Sequence, residues 1–237
     1  MKKNDFLDQF YKKRNSLIIR VFLSVTLVLL LAIFSLSFQK GNDFIAKVGV
    51  QGIIQDKKEV IDQISNLNKN NKVKGLIVII NSPGGTYVGS KELYDSIKIL
   101  SKKIPTVVYM REMATSGGYL VSLSADKIYG SEGTITGSVG VILQTADISD
   151  LLEKLGINPI IVKSGKFKSV PNPAEEIEKD ELDYLENIIK DMQEDFLDLV
   201  KKNRNISSSV LDLISDGRIF TGNQAKDLNL IDEVGSE

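Results

Sequence analysis

Three groups of residues in this chain have types and spacings that could do chemistry. The first centres on Ser116, in Met113-Ala114-Thr115-Ser116-Gly117-Gly118-Tyr119-Leu120. An apolar, strand-like run at residues 105–110 precedes it and an apolar, helix-like run follows. A hydroxyl at a strand-to-helix turn can serve as a nucleophile, because backbone N–H groups and the positive end of the helix dipole face a developing oxyanion there. The same residues also suit a serine that merely caps a helix, with glycines for the turn. The second group is Asn81-Ser82-Pro83-Gly84-Gly85, directly after the apolar run 75–80 (GLIVII). Adjacent glycines let backbone N–H groups turn toward a ligand, although most such clusters are plain loops. The third is Ser164-Gly165-Lys166-Phe167-Lys168-Ser169. A lysine acts as a general base when it is desolvated enough to be neutral near pH 7; a solvated loop lysine does nothing of the kind.

Composition narrows the chemistry. The 237 residues include no histidine and no cysteine. That removes Ser-His-Asp and Cys-His catalysis, disulfides, and metal sites built on histidine or thiolate. A nucleophile here needs another base, and lysine is the natural substitute. The net charge of −1 supplies no basic field for nucleic acid.

The elements that must position these groups alternate. Residues 44–54 (FIAKVGVQGII) have strand composition and 59–67 (EVIDQISNL) have helical spacing. Residues 75–80 are apolar throughout, as in a parallel strand covered on both faces. Residues 93–100 read as helix and 105–110 as strand. This order predicts an α/β domain with a mainly parallel sheet and right-handed crossovers. Both Gly-Gly turns follow apolar strands, so they should meet at the sheet's C-terminal edge, where such folds bind ligands. Short strands are expected at 126–130 and 133–143, a helix at 148–155 and a further strand at 158–164. Residues 174–203 form a long amphipathic helix with Leu182, Leu185, Ile188, Ile189, Met192, Phe196, Leu199 and Val200 on its apolar stripe. Short helices at 210–214 and after Thr221 complete what reads as one domain, 41–237. Thr136 and Ser138 add hydroxyls near the site region, of a kind that usually only satisfies backbone groups.

Before that domain, residues 21–38 (VFLSVTLVLLLAIFSLSF) carry no charge. About 20 apolar residues span a bilayer as a helix. The flanking Lys2, Lys3, Lys12, Lys13, Arg14 and Arg20 place residues 1–20 in the cytoplasm by the positive-inside rule, with the remainder exported. The run is longer than the core of a cleaved signal peptide, which favours a retained anchor. Residues 41–237 hold 23 basic against 29 acidic residues, so the exported part is acidic.

Taken together, the three groups with Gly133-Thr134-Ile135-Thr136-Gly137-Ser138-Val139-Gly140-Val141 and Asp216-Gly217-Arg218-Ile219-Phe220-Thr221-Gly222 resemble signal peptide peptidase A. These are membrane-anchored serine peptidases with a ClpP/crotonase-like fold. The five blocks occur in the family's order and cover nearly the whole exported domain. The resemblance implies a Ser-Lys dyad with Ser116 as nucleophile and Lys168 as base, Lys166 being the fallback. It implies an oxyanion hole from the backbone N–H groups of Gly117 and Gly85, with Gly84 as the alternative to Gly85. It implies no metal or cofactor, signal-peptide remnants as substrate, no nucleic acid, and a homo-oligomeric ring in which the dyad forms within or between subunits. The chain has one copy of the domain, like the family's short members. A crotonase-like acyl-CoA enzyme and a catalytically silent scaffold are the competing readings. Neither accounts for Ser116 and Lys168 together. A ClpP-type triad is excluded by the missing histidine.

Overall fold

A computed structural model describes residues 3–38 and 42–237, with side chains over 10–32 and 42–237. Residues 1, 2 and 39–41 lie outside the described residues, and with them the first residue of the expected domain. The chain divides into two compact units after Asp43. The first is one helix, α1 (Lys3–Phe38). Within it Phe10–Ala32 is long and apolar enough to cross a membrane. Its apolar side chains from Leu17 to Leu31 are exposed. The expected span 21–38 overlaps that stretch and continues past Ala32 as helical backbone.

The second unit is built on a seven-stranded sheet: β1 (Phe44–Gln51), β2 (Val73–Ser82), β3 (Thr106–Thr115), β4 (Lys127–Gly130), β5 (Ile135–Gly137), β6 (Ile219–Thr221) and β7 (Glu233–Val234). The order is β1-β2-β3-β4-β7, with β5 beside β3 and β6 beside β5. Every pairing is parallel except β5 with β6. The helices are α2 (Lys58–Asn68), α3 (Tyr87–Ser101), α4 (Gly117–Ser122), α5 (Ser149–Lys154), α6 (Lys179–Asn203), α7 (Ser208–Ile214) and α8 (Gly222–Asp227). The expected ClpP-like α/β architecture with a mainly parallel sheet is therefore present. β2 is buried along most of its length because helices cover both faces, whereas the edge strand β1 alternates buried and exposed.

β3 is the strand that serves the site. Its first half pairs with β4 and its last three residues pair with β5. Between these halves the register against β2 slips, so that Ile80 faces Met110 but Ser82 faces Ala114. Two extra residues on β3 make a bulge, which bends the strand and re-aims its end.

Several expected boundaries differ. β1 stops at Gln51, where Gly52 takes φ 66°, and only Ile54 resumes contact, as an isolated bridge to Gly85. The strand expected at 133–143 is limited to Ile135–Gly137, and 158–164 forms no strand. Both stretches have strand composition, but among the described residues no strand lies alongside to complete a ladder. Ile142, Ile160 and Val162 are 86%, 91% and 94% exposed. The long helix begins at Lys179 rather than 174, because Glu178 and Glu181 form a reciprocal capping box there. On its apolar stripe Leu185, Phe196 and Val200 are buried, but Leu182 is exposed.

Candidate active site

The two Gly-Gly turns do meet. Ser116 stands between the last residue of β3 and the first of α4, with φ 51° and ψ −120°. An L-residue in that region is strained by about 1–3 kcal/mol, and such strain persists only where the surroundings enforce it. Here Ser116 N–H donates to the Gly137 carbonyl at 2.8 Å and its own carbonyl accepts from Leu120 N–H at 2.9 Å. The strand on one side and the helix on the other thus fix the residue. Ser116 occupies the N-cap position, yet its hydroxyl accepts no N–H from the helix. Thr86, Ser207 and Thr221, at the N-caps of α3, α7 and α8, all do so. The capping reading of Ser116 therefore fails, and its side chain is left for the cleft. This is the geometry of a nucleophile elbow, a hydroxyl held out on a sharp strand-to-helix turn.

The Gly84-Gly85 loop is packed against this turn. Buried Ser82 donates through Oγ to the Gly52 carbonyl at 2.7 Å and accepts from Gly84 N–H at 3.0 Å. Thr115 Oγ1 donates to the Pro83 carbonyl at 3.0 Å. Ile54 N–H donates to Gly84 O and Thr86 N–H to Ile54 O, each at 2.8 Å. That pattern uses the amides on either side of Gly85 and leaves its own N–H outside the bridge. Gly117 is the first residue of α4, where a helix leaves its N–H without an internal acceptor. A Cβ on Gly117 would lie 3.3 Å from Gly85 N and 2.1 Å from Ser90 Oγ, so the two free amides adjoin and only glycine fits between them. Gly84 N–H, by contrast, is already committed to Ser82.

Ser116, Gly85 and Gly117 open onto a cleft of about 1080 Å³. Ile53, Val88, Leu120, Ile188, Met192 and Phe196 are among its walls, so the cleft is largely apolar. Among the described residues Asp216 is the sole carboxylate on its lining. Hydrogen bonds from Arg218 hold that carboxyl below the usual range. Among the described residues no lysine lines the cleft.

Lys168 lies elsewhere, exposed in a 3-10 turn, Lys166–Ser169. The structure of the single chain therefore brings Ser116, Gly85 and Gly117 together and does not bring Lys168 to them. Lys166, in the same turn, is bound to Asp180 at 2.6 Å and Glu178 at 2.7 Å. These carboxylates hold its ammonium protonated well above the ordinary lysine range.

Sequence reasoning named three further contributors without finding what they do at the site. Ile188, Ile189 and Met192 of α6 wall the cleft rather than the core, which periodicity cannot distinguish. Ser138 lines the cleft with φ 53°, while its neighbour Thr136 only donates to the Ala114 carbonyl. The 216–222 block is a buttress: β6 pairs with β5, Arg218 O accepts from Ser138 N–H at 2.8 Å, and Phe220 leaves no room for a Cβ on Gly137. Since Gly137 O holds Ser116 N–H, this block fixes the elbow from behind. Tyr119 is fully buried and its hydroxyl donates to Leu230 O at 3.0 Å; burial pushes its pKa up.

Comparison with known proteins gives the family and the fold. The profile of peptidase family S49 matches residues 98–237, and that of Clp protease matches residues 45–132. A candidate protease of Methanocaldococcus jannaschii is 37% identical over 77% of this chain and 59% of its own length. A candidate protease of Synechocystis sp. is 37% identical over 81% of this chain and 70% of its own. A candidate signal peptide peptidase SppA of Enterococcus faecium is 33% identical over 82% of this chain and 61% of its own. The chain thus spans 59–70% of these relatives. Among solved structures, ClpP1 from Listeria monocytogenes superposes with a TM-score of 0.56 at 19% identity, covering 81% of this chain and 91% of that one. The 1510-N membrane-bound stomatin-specific protease superposes at 0.54 with 16% identity, covering 83% and 82%. With its ClpP-like fold and its serine held at a strand-to-helix elbow, the chain belongs to peptidase family S49.

Proposed function

We propose that this protein is a membrane-anchored serine endopeptidase that degrades signal peptides left after protein export, with Ser116 as nucleophile and Lys168 as general base. The observation that carries this reading is the Ser116 turn. A strained, non-capping serine faces an apolar cleft, with two uncommitted amides beside it. An extended apolar peptide fits such a cleft. Neutral Lys168 takes the Ser116 proton as Oγ bonds to the scissile carbonyl carbon. The Gly85 and Gly117 N–H groups receive the oxyanion. Collapse breaks the C–N bond, the lysine ammonium protonates the leaving amine, and water then releases the acyl group from Ser116. Lys166 is the poorer base, because Asp180 and Glu178 keep it charged.

Assembly belongs to the same reading. The exposed Ile142, Leu155, Ile160 and Val162 lie on the arm of chain that leads to Lys168, and they favour burial against a second copy. In such a ring Lys168 reaches a Ser116, in its own subunit or a neighbour's. The apolar stretch Phe10–Ala32 and the basic residues before it support an anchor with a cytoplasmic N-terminus and the catalytic unit outside.

The test is cleavage of a quenched-fluorescent peptide with a Leu/Ala-rich core by the full chain in detergent micelles. Ser116→Ala and Lys168→Ala should each abolish turnover while leaving thermal unfolding intact. Cleavage retained by either variant overturns the dyad. Mixing the two inactive variants regains activity only if the dyad forms between subunits.

A further inference from the structure

Lys168 stands out in its turn for what its neighbours do. Among the described residues, the side chains around it are tied down and its own makes no recorded hydrogen bond or ion pair. Lys163 bonds Glu175 at 2.5 Å, and Asn172 Nδ2 donates to the same carboxylate at 3.0 Å. Lys166 is held between Glu178 and Asp180. The Phe167 ring packs on Tyr184 of α6 with centroids 5.0 Å apart. All these partners lie just before α6 or in its first two turns. The start of α6 is itself firm: Glu178 and Glu181 cap each other, Glu181 is buried, and Leu185 is buried one turn on. The turn also has a backbone bond of its own, Lys168 N–H to Gly165 O at 3.1 Å.

We propose that Lys166 is a positioning residue: bound between Glu178 and Asp180, it fixes the turn that presents Lys168. This rests on Lys168 being the base. The physical reason is entropy. Lys168 sits in a single 3-10 turn on a segment that has no α-helix or strand between α5 and α6. A base on a wandering segment must be ordered again at each turnover, and a misplacement of about 1 Å can cost about 10²-fold in rate. The two carboxylates tie the segment to the start of α6 at Lys166, the residue before Phe167. Phe167 on Tyr184 then blocks rotation of the turn about that tie.

The experiment compares Lys166→Met, Lys166→Arg and Lys168→Ala in the full chain, with the quenched apolar peptide as probe. Lys166→Met should lower kcat about tenfold to 10²-fold with KM unchanged, because the substrate cleft is untouched. Thermal unfolding should stay at the wild-type value, since Lys166 is exposed. Lys166→Arg should restore most of the rate, as a guanidinium can reach both carboxylates. Raising NaCl from about 0.05 to about 0.5 M should slow the wild type more than Lys166→Met, because salt weakens a clamp the variant has already lost. Wild-type kcat in Lys166→Met, with Lys168→Ala inactive, overturns the clamp and leaves the dyad standing. An inactive Lys166→Arg overturns it in favour of Lys166 as base. An active Lys168→Ala removes the dyad and the clamp together. A fall in KM affinity and unfolding temperature alongside kcat in Lys166→Met marks a structural role and also overturns the proposal.

Discussion

Gly85→Ala probes the site through one methyl group. A Cβ at this position would lie 1.9 Å from Ile54 O and 2.5 Å from Ile54 C. The backbones must part by at least about 1.1 Å to reach even the 3.0 Å that real Cβ atoms tolerate. The obstacle is main chain, so no rotamer change relieves it. Separation stretches the bonds from Ile54 N–H to Gly84 O and from Thr86 N–H to Ile54 O, both 2.8 Å in the native structure. Two weakened bonds cost about 1–3 kcal/mol of stability. For a domain of this size that lowers Tm by roughly 2–4 °C per kcal/mol. On the proposed mechanism the larger effect falls on catalysis, because the Gly85 N–H moves off the oxyanion. Losing one such donor costs about 10²–10³ in kcat. The assay is kcat and KM on the quenched apolar peptide, with thermal unfolding measured in parallel. Gly133→Ala is the control, since nothing lies within 4 Å of a Cβ there. A Gly85→Ala enzyme with lowered Tm but kcat within about threefold of wild type would refute the oxyanion argument.

Three further outcomes follow from the same geometry. Ser116→Gly should abolish cleavage yet raise stability by about 1–3 kcal/mol relative to Ser116→Ala, because glycine accepts φ 51° and ψ −120° without strain; equal unfolding temperatures for the two variants would show that the elbow is relaxed. Tyr119→Phe should cost about 1–3 kcal/mol by leaving the buried Leu230 carbonyl without its donor, read by denaturant unfolding. Burial raises the Asp232 carboxyl, but Arg204, the Ile128 N–H and Lys127 outweigh it and hold the group below its ordinary pKa. A depressed folded pKa gives stability that is present above the unfolded value of about 3.9 and is lost as pH falls through the folded one. Unfolding free energy should therefore fall on acidification below about pH 4 more steeply in wild type than in Asp232→Asn, and parallel curves would exclude the linkage.

The site was legible in part. The meeting of the two Gly-Gly turns followed from both standing after apolar parallel strands, and Gly84, Gly85 and Gly117 do adjoin Ser116. Which glycine amide is left over was not legible. It depends on Ser82, whose hydroxyl takes the Gly84 N–H, and on Ile54, which bridges around Gly85. The α6 stripe was read correctly as amphipathic, but its spacing cannot tell Leu185, which packs into the core, from Met192, which walls the cleft. The 158–164 stretch shows the converse limit. Its β-branched residues have strand propensity, but a strand exists only with a partner, and the described residues provide none there.

What the sequence determined alone is mostly exclusion and periodicity. The missing histidines and cysteines limit the chemistry, because no arrangement in space supplies an absent side chain. Alternation of apolar runs sets an α/β order, because burial on a sheet or a helix face demands those periods. The tertiary structure decided everything that depends on which groups are already satisfied. Among the described residues, it left the Ser116 hydroxyl out of the helix cap while Thr86, Ser207 and Thr221 cap their helices, freed the Gly85 amide but not the Gly84 amide, and tied Lys166 while leaving Lys168 unbound. Hydrogen bonds and ion pairs form between residues distant in the chain, and composition and spacing carry no record of which partner each one takes.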